Sequence, residues 1–378
     1  MFFKVSSKAF YDYASSVSKV INPKNALSIL NNFLLTLSDG HLTITGSDVE
    51  NAMSATITPL DYDGEGSFCL DARRLVDLLK ELPNQPLTVE INNDTLEVNI
   101  SYSDGHYSMV ALPGDQYPQY ANEGADETPV TFNFPALQLA KGIENTLFAV
   151  GEDDFRPQMM GILFDIQKDS LIFVATDTRK LVRYTNSLHR PEVMAKCIVP
   201  KKPAAILKSF LSKDPDSMVE ISMNSKSASF RNEDYVFNCR FIKGNFPDYT
   251  RVIPKNNPYE LRVDRTRFLN SVRRVGIFVD PGYGMEKFKI TNDHIQIKSS
   301  DTNLLTAGNE QIDCEYSGPE IVVGFSAPYM IEICNTIQSE QMVVRLSDPS
   351  RPGVFCPSEN EENTDLLILL MPMTVTDF

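Results

Sequence analysis

The stretch Phe3-Lys-Val-Ser-Ser and the residues that follow it decide the fold, because the same pattern recurs twice along the 378-residue chain. A short alternating strand is followed by apolar residues at intervals of four, three and four, which together form one face of an α-helix. The copies begin at Phe132-Asn-Phe-Pro-Ala and Leu261-Arg-Val-Asp-Arg, so the first apolar position moves from residue 10 to 139 to 268. The predicted buried positions, with one polar exception, are Phe10, Ala14, Val17 and Ile21, then Leu139, Ile143, Thr146 and Val150, then Phe268, Val272, Val275 and Val279.

Two further features recur in the same order in each copy. The first is a hairpin pattern, turn-forming residues before an alternating strand, that ends in an acidic residue at Asp48, Asp177 and Asp301. The second is another strand that leads into another helix, at residues 68–80, 197–208 and 321–334. Because the acids recur in all three copies, we expect them to form turns and not to act in catalysis.

Recurrence at a fixed offset indicates similar domains in series. We therefore predict an α+β fold of three similar domains, each with two helices packed on antiparallel sheets. The predicted domains are residues 1–127, 128–254 and 255–378, with boundaries in the polar segments 121–128 and 254–258.

Composition limits the class of protein. No apolar run approaches the roughly 18–20 residues that span a bilayer, and the sequence starts without the basic and apolar regions of a secretory signal. We therefore expect a cytoplasmic protein with no membrane partner. The six cysteines include no Cys-x-x-Cys pair, which predicts buried, reduced thiols, no metal site and no cofactor.

The net charge of −15 opposes simple coating of DNA, because phosphate binding depends on Lys and Arg. A nucleic-acid function therefore requires the basic residues to be concentrated on one surface. Three predicted helices carry such residues, although they could also be ordinary solvated faces, and the helix predicted at residues 328–337 has none. The basic residues are Arg73, Arg74 and Lys80, then Lys201, Lys202 and Lys208, then Arg267, Arg273 and Arg274.

Four segments, in this order, resemble the bacterial DNA polymerase III β subunit family, the sliding clamps. They are Lys24-Asn-Ala-Leu-Ser-Ile-Leu-Asn-Asn-Phe-Leu-Leu, Thr176-Asp177 with Arg179-Lys180-Leu181, Gly244-Asn-Phe-Pro-Asp-Tyr-Thr-Arg-Val-Ile-Pro-Lys255 and Leu370-Met-Pro-Met373. The resemblance implies three DNA-clamp domains in a head-to-tail homodimeric ring, with helices around the hole and sheets outside. It implies a non-catalytic processivity factor that encircles double-stranded DNA without sequence specificity. The implied protein partners are the replicative polymerase, a clamp loader and other proteins with a clamp-binding motif, and the implied location is the nucleoid.

The resemblance also assigns residues to sites. Lys24 and Arg156 match positions near DNA, although Pro157-Gln158 stands where some relatives carry aromatic residues. Candidates for the dimer interface are Tyr107, Ile277 and Phe278, for which burial in the core is the alternative. The implied peptide-binding pocket is formed by Met159, Thr176, Thr178, Lys180, Leu181, Pro247, Arg251, Val252, Tyr329, Leu369, Met371, Pro372 and Met373.

The pocket assignment has physical support and two departures. Methionines adapt to varied apolar partners, and Lys180 and Arg251 could hold a carbonyl or an acidic side chain of a peptide. The alternative is that residues 366–373 are only a buried edge strand. Many relatives carry Gly-His-Arg where this chain has Thr178-Arg179-Lys180, and an Arg where it has Thr374, and the chain continues through residues 375–378.

Other functions remain as alternatives. An enzyme finds little support, because the sequence contains no P-loop, no G-x-S-x-G, no H-E-x-x-H and no G-x-G-x-x-G motif. A repeat-built scaffold that binds peptides but never encircles DNA would share the fold and the pocket. The two-domain trimeric clamps of eukaryotes and archaea are a further alternative, against which three repeats in one chain favour two subunits per ring.

Overall fold

The computed structural model describes residues 1–120, 127–280, 284–301 and 304–378. The predicted boundary at residues 121–128 lies almost entirely outside them, whereas residues 254–258 form neither helix nor strand. The chain forms two compact units, Met1–Ala140 with Lys202–Phe241, and Lys141–Lys201 with Ile242–Phe378, which we call the first and the second unit. The middle third of the chain contributes to both units, so the three domain boundaries stay a prediction.

Each third of the chain has the predicted order of strand, helix and strands, followed again by strand, helix and strands. The first third contains β1 Phe2–Ser6, α1 Ser7–Ser18, β2 Asn32–Ser38, β3 His41–Ser47, β4 Asn51–Ile57, β5 Asp61–Asp63, β6 Gly66–Asp71, α2 Ala72–Glu81, β7 Pro86–Ile91, β8 Glu97–Tyr102, β9 Gly105–Val110 and β10 Leu112–Pro113. The second contains β11 Val130–Pro135, α3 Ala136–Leu147, β12 Gly161–Ile166, β13 Leu171–Thr176, β14 Lys180–Asn186, β15 Ala195–Pro200, α4 Lys201–Leu211, β16 Met218–Met223, β17 Ser227–Arg231 and β18 Tyr235–Arg240. The third contains β19 Tyr259–Asp264, α5 Arg265–Val275, β20 Met285–Ile290, β21 His294–Asp301, β22 Thr306–Asp313, β23 Glu315–Tyr316, β24 Ile321–Ser326, α6 Ala327–Thr336, β25 Gln341–Leu346, β26 Gly353–Pro357 and β27 Thr364–Leu370.

The strands form antiparallel sheets, and the two nine-stranded sheets join neighbouring thirds of the chain. The first unit has a five-stranded sheet, β5-β1-β7-β8-β9, and a nine-stranded sheet, β10-β6-β2-β3-β4-β18-β17-β16-β11. The second unit has a nine-stranded sheet, β15-β12-β13-β14-β27-β26-β25-β19-β23, and a four-stranded sheet, β22-β21-β20-β24. The α+β class predicted from the repeats is confirmed.

The predicted helix faces are buried, but each helix is shorter than its apolar pattern. The first three positions of each pattern lie inside α1, α3 and α5 and are buried, whereas the fourth, at Ile21, Val150 and Val279, follows the helix end. The polar exception is satisfied locally, because the Thr146 hydroxyl donates to the carbonyl of Gly142 at 2.7 Å.

Three helices begin at the residues that cap them. The side chain of Asp71 accepts the N–H of Arg74 at 2.8 Å before α2, and the side chain of Asp264 accepts the N–H of Arg267 at 2.7 Å before α5. Ser6 makes the corresponding contact before α1. Each cap satisfies an N–H group that has no partner inside the helix, so the last residue of the preceding strand also fixes the start of the helix.

The recurring acids stabilise turns, as predicted. Asp48 accepts the N–H of Asn51 at 2.8 Å, Asp177 accepts the N–H of Lys180 at 2.8 Å, and Asp301 accepts the N–H of Leu304 at 3.0 Å. The three carboxylates therefore occupy similar places where β3, β13 and β21 end, Asp48 and Asp177 just after the strand and Asp301 as its last residue.

The cysteines are free thiols, and five of the six are buried. The prediction of burial is wrong for Cys314, which is half-buried where its strand pairing ends. Burial raises the pKa of Cys69 to about 11 and that of Cys239 to about 12, so both thiols stay protonated at neutral pH. In the part of the chain that the structure describes, no helix has the length and hydropathy of a membrane span.

Candidate functional site

A cavity of about 410 Å³ opens in the second unit at the ends of three adjacent strands. β13 ends at it, β14 begins at it and β27 ends at it, and the segment with the short 3-10 helix Tyr249–Arg251 borders it as well. Most of the lining side chains are apolar. They are Met159, Thr176, Thr178, Arg179, Lys180, Leu181, Phe246, Pro247, Asp248, Tyr249, Val252, Pro352, Leu369 and Met371.

The turn between β13 and β14 forms a rigid rim of this pocket. The hydroxyl of Thr176 donates to the carbonyl of Lys180 at 2.7 Å and accepts the N–H of Thr178 at 3.1 Å. Thr178 has a φ of 78°, a left-handed conformation that β-branched residues rarely adopt. Val49, which follows the equivalent Asp48, has a φ of 79°, so the strained position belongs to the repeated turn. A glycine would suit this backbone, and Thr178 adds a side chain to the pocket wall.

Lys180 is only 5% exposed, and its ammonium group already has partners within the chain. It pairs with Glu332 and, at 3.6 Å, with Asp177, and it lies 4.2 Å from the ring centre of Tyr329. A buried ammonium needs such partners, because removing its water is costly. In this structure the charge of Lys180 is neutralised from within the chain, and its role in holding a group of a bound peptide stays a prediction.

The floor of the pocket is held by a buried polar contact. Tyr249 packs in an apolar cluster with Leu163, Val174 and Leu369, and its hydroxyl donates to Asp165 at 3.1 Å. Burial, with Asp165 as the second cause, raises the pKa of Tyr249 to about 12. The Tyr249 hydroxyl therefore remains a hydrogen-bond donor at neutral pH, and its bond to Asp165 holds the floor of the pocket against β12.

The structure brings together nine of the thirteen residues predicted for the pocket. Those nine are Met159, Thr176, Thr178, Lys180, Leu181, Pro247, Val252, Leu369 and Met371. Arg251 points outward and pairs with the lining residue Asp248 at 2.8 Å, while Tyr329 contacts Lys180 from outside the cavity. Pro372 and Met373 line a neighbouring groove of about 500 Å³.

Sequence reasoning missed five lining residues. Arg179 stood inside a recognised motif, and Phe246, Asp248 and Tyr249 stood inside the quoted run 244–255, so both motifs contained the signal. Pro352 is different, because it reaches the pocket from the loop before β26 and only tertiary packing places it there.

Strand β27 is not an edge strand. It pairs with β14 on one side, Lys180 opposite Leu370, and with β26 on the other, Gly353 opposite Leu370. The alternative of a buried edge strand at residues 366–373 is therefore wrong. Pro372 follows the end of the strand, where its missing N–H costs no ladder bond.

The predicted DNA-facing residues are exposed, apart from Lys208, which is half-buried. Several of them already pair with an acidic side chain of their own unit. In the first unit Arg73 lies 3.7 Å from Asp77 and Lys202 lies 2.9 Å from Asp48. In the second unit the pairs are Arg156 with Asp153, Lys201 with Glu152, Arg267 with Asp313 and Arg274 with Glu310, while Arg273 donates to Asn335.

Four predicted basic residues have no acidic partner among the residues that the structure describes. They are Lys24, which lies in the loop after α1, Arg74 and Lys80 on the outer face of α2, and Arg273, whose partner is the amide of Asn335. Because exposed ion pairs are weak, the paired residues also remain able to exchange their acid for a phosphate.

The dimer candidates are exposed, which contradicts the alternative of core burial. Ile277 is 75% exposed and Phe278 is 38% exposed, both in the short 3-10 helix that follows α5. Tyr107 lies on β9, the outermost strand of its sheet, and stacks on Tyr102 with ring centres 6.2 Å apart. Val110 on β9 and Leu304 and Leu305 before β22 are apolar residues that are more exposed than Tyr107.

No group of three His, Cys, Asp or Glu side chains within the described ranges has the geometry of a metal site.

Family models cover the chain in three consecutive segments. The N-terminal domain of the DNA polymerase III beta subunit matches residues 1–121, the central domain matches residues 133–248 and the C-terminal domain matches residues 250–374. The beta sliding clamp of Pseudomonas putida is 25% identical over 374 residues, 99% of this chain and 100% of the relative. The beta sliding clamp of Proteus mirabilis is 27% identical over 333 residues, 88% of this chain and 89% of the relative.

Solved structures agree with this assignment. A sliding clamp (DNA polymerase III subunit beta) from Bartonella birtlesii bound to griselimycin has a TM-score of 0.92 and 25% identity. The corresponding protein from Pseudomonas aeruginosa, also bound to griselimycin, has a TM-score of 0.93 and 24% identity. Both comparisons cover 99% of this chain and 100% of the solved chain.

Proposed function

The chain belongs to the DNA polymerase III beta subunit family, and we propose that it works as a homodimeric ring around duplex DNA. It is a non-catalytic sliding clamp of DNA replication. The observation that carries the proposal is the threefold repeat, because each copy coincides with one domain model of the family. The three clamp domains are residues 1–127, 128–254 and 255–378.

Ring closure uses the exposed edges of the two smaller sheets. β9 is the outer strand of the five-stranded sheet and β22 is the outer strand of the four-stranded sheet. Pairing β9 of one subunit with β22 of the other satisfies both edges, and a twofold axis repeats the contact to close the ring. Tyr107, Ile277 and Phe278 lie on or beside these edges and become buried.

DNA lies against the basic residues Lys24, Arg73, Arg74, Lys80, Arg156, Lys201, Lys202, Lys208, Arg267, Arg273 and Arg274. Most of these basic groups already form ion pairs with acidic neighbours, so each phosphate contact is weak and easily exchanged. Weak contacts permit sliding, and enclosure by the ring supplies the residence time. In the cell the protein is cytoplasmic and associated with the nucleoid.

The pocket anchors peptide segments of the replicative polymerase, the clamp loader and other clamp-binding proteins. Its adaptable wall of Met159, Leu369 and Met371 suits varied apolar anchors. Relatives bound to griselimycin support a ligand site of this kind.

Negative-stain electron microscopy tests the ring. Class averages of the purified chain should show closed particles with six lobes and an open centre. Three-lobed arcs or compact particles at high concentration would contradict the ring and leave the peptide-binding scaffold as the better function.

Titration calorimetry with griselimycin tests the pocket. Met371→Ala removes part of the wall, and we expect roughly tenfold weaker binding, because burial of such a side chain is worth about 1.5–3 kcal/mol. Met194→Ala is the matched control, since Met194 is also exposed but does not line the cavity. Equal affinity of both variants and the unmodified chain would exclude this pocket as the griselimycin site.

A further inference from the structure

The segment after the pocket strand, residues 374–378, lies on the solvent-facing side of the four-stranded sheet. We call it the tail segment. The N–H of Met373 donates to the carbonyl of Gly324 on β24 at 2.8 Å and leads the chain onto this side. Gly324 lies opposite Lys287 on β20, and Lys287 lies opposite Lys298 on β21, so the three residues form one row across the sheet. We call this row the basic row.

Gly324 makes room for the tail segment. A Cβ atom at this position would lie 2.9 Å from Cγ2 of Val375, 2.9 Å from Sδ of Met285 and 3.0 Å from the carbonyl oxygen of Met373. Any larger residue would therefore require Met285 or the tail segment to shift. The glycine is buried although its row faces outward, because the tail segment covers it.

The two lysines of the basic row contact the last two residues of the tail segment, one through an ion pair and the other through an aromatic ring. Nζ of Lys287 lies 3.0 Å from Oδ1 of Asp377, and this bond lowers the pKa of the Asp377 carboxyl. Nζ of Lys298 lies 4.4 Å from the ring centre of Phe378, which is a cation–π contact. An acidic residue followed by an aromatic residue thus matches two adjacent cations.

The covered surface adjoins the peptide pocket. Met371 lines the pocket, and the next residue, Pro372, lines the groove of about 500 Å³ beside the tail segment. One loop also serves both, since Pro352 borders the pocket whereas Pro349 and Ser350 border the groove. A peptide that leaves the pocket past Met371 therefore reaches the tail segment first.

We propose that the basic row is a second peptide-binding surface, for an extended acidic–aromatic segment, which the tail segment occupies within its own chain. A partner segment of the same chemistry binds there by displacing the tail segment. Because the tail segment is tethered, its effective concentration is in the millimolar range, and free peptides compete poorly until it is released. The inference rests on the proposed function only for the source of the partner peptide.

The test uses the full chain and a fluorescein-labelled peptide, Thr-Val-Thr-Asp-Phe, with binding followed by fluorescence anisotropy. The double variant Asp377→Asn with Phe378→Ala loosens the tail segment but leaves the basic row intact. We expect the peptide to bind this variant roughly tenfold more tightly than the unmodified chain, since an ion pair and a cation–π contact no longer compete. Equal affinity for both chains, or no binding to the variant at millimolar peptide, would overturn the proposal.

Further substitutions in the loosened chain identify the surface. Lys287→Gln and Lys298→Gln should each weaken peptide binding several-fold. Lys289→Gln is the matched control, because Lys289 lies on the same side of β20 but pairs with Glu320. A loss with Lys289→Gln as large as with Lys287→Gln would refute recognition by the basic row.

Griselimycin separates this inference from the proposed function. Retained griselimycin binding without peptide binding contradicts the second surface alone. If the unmodified chain does not bind griselimycin, the proposed pocket is contradicted. The peptide measurement still tests the second surface, because it does not depend on griselimycin.

Discussion

Glu286 on β20 has a fully buried carboxyl group, and neither of its oxygens has a hydrogen-bond partner among the described residues. Burial, with repulsion from Glu310 as the second cause, raises its pKa to about 8. Glu310 itself is held ionised by Arg274 and Ser271, so it does not share a proton with Glu286. Below this pKa the folded protein therefore carries Glu286 as the neutral acid.

The raised pKa predicts a loss of stability with rising pH. Between its ordinary value of 4.5 and about 8 the folded chain binds this proton and the unfolded chain does not, so the free energy of unfolding falls across that range. We expect the free energy of unfolding of the unmodified chain to decrease by an amount on the order of a few kcal/mol over this range, and Glu286→Gln to abolish that decrease. Thermal unfolding at pH 6 and pH 8 measures it.

Glu320→Gln is the control, because Glu320 is exposed and pairs with Lys289 at 3.0 Å. The control should keep the decrease seen in the unmodified chain. An unchanged decrease in Glu286→Gln would show that protonation of Glu286 is not its cause.

Individual pocket residues could be predicted only where chemistry and motif agreed. Pro247 and Met371 are apolar residues in recognised motifs, and both line the cavity. Lys180 is the instructive exception, because a lysine in a strand pattern suggests a solvent-facing charge. Its burial depends on Glu332 from α6, which lies 152 residues away and has no local signal.

Among the elements, the helices were the most predictable and their ends the least. The apolar residues of any amphipathic helix recur with a period of 3.6 residues, so α1, α3 and α5 could be predicted from the apolar spacing alone. The apolar spacing continues past each helix end because the next apolar position of the pattern, such as Ile21, also packs partly against protein. Strand partners such as β14 with β27 were not predictable, since sheet pairing over such separations leaves no periodic trace.

In the ring that we propose, closure depends on the edge strands β9 and β22. Ile277 is the most exposed of the three predicted interface residues, so a charge there should leave each subunit folded. We expect Ile277→Arg to raise the dimer dissociation constant at least about a hundredfold, because a ring has two copies of each contact. Sedimentation equilibrium measures the constant.

Met194→Arg is the matched control, since Met194 is also exposed and lies before β15 of the nine-stranded sheet, whereas β22 belongs to the four-stranded sheet. The control should dimerise as the unmodified chain does. Equal weakening by both changes would indicate a general effect of added charge and would argue against this interface.

At the scale of the whole molecule, binding to DNA should depend on topology more than on charge. The net charge is −15 and many basic groups are internally paired, so affinity for open DNA should be low at physiological salt. After loading by a clamp loader with ATP, we expect retention on nicked circular DNA and rapid loss once the circle is cut. Gel filtration of labelled protein with DNA before and after cleavage measures this, and retention on the cut DNA would contradict sliding by enclosure.

The central position of β27 has a consequence for synthesis. β14 is complete at residue 186, but its neighbour β27 begins at residue 364. At about 5–20 residues per second, the ribosome leaves the edge of β14 unpaired for roughly 10–40 s. During that interval the unpaired edge of β14 is available to other strands. The pocket also lacks the part of its wall that Leu369 and Met371 form. A chain interrupted before residue 371 therefore lacks part of the pocket wall.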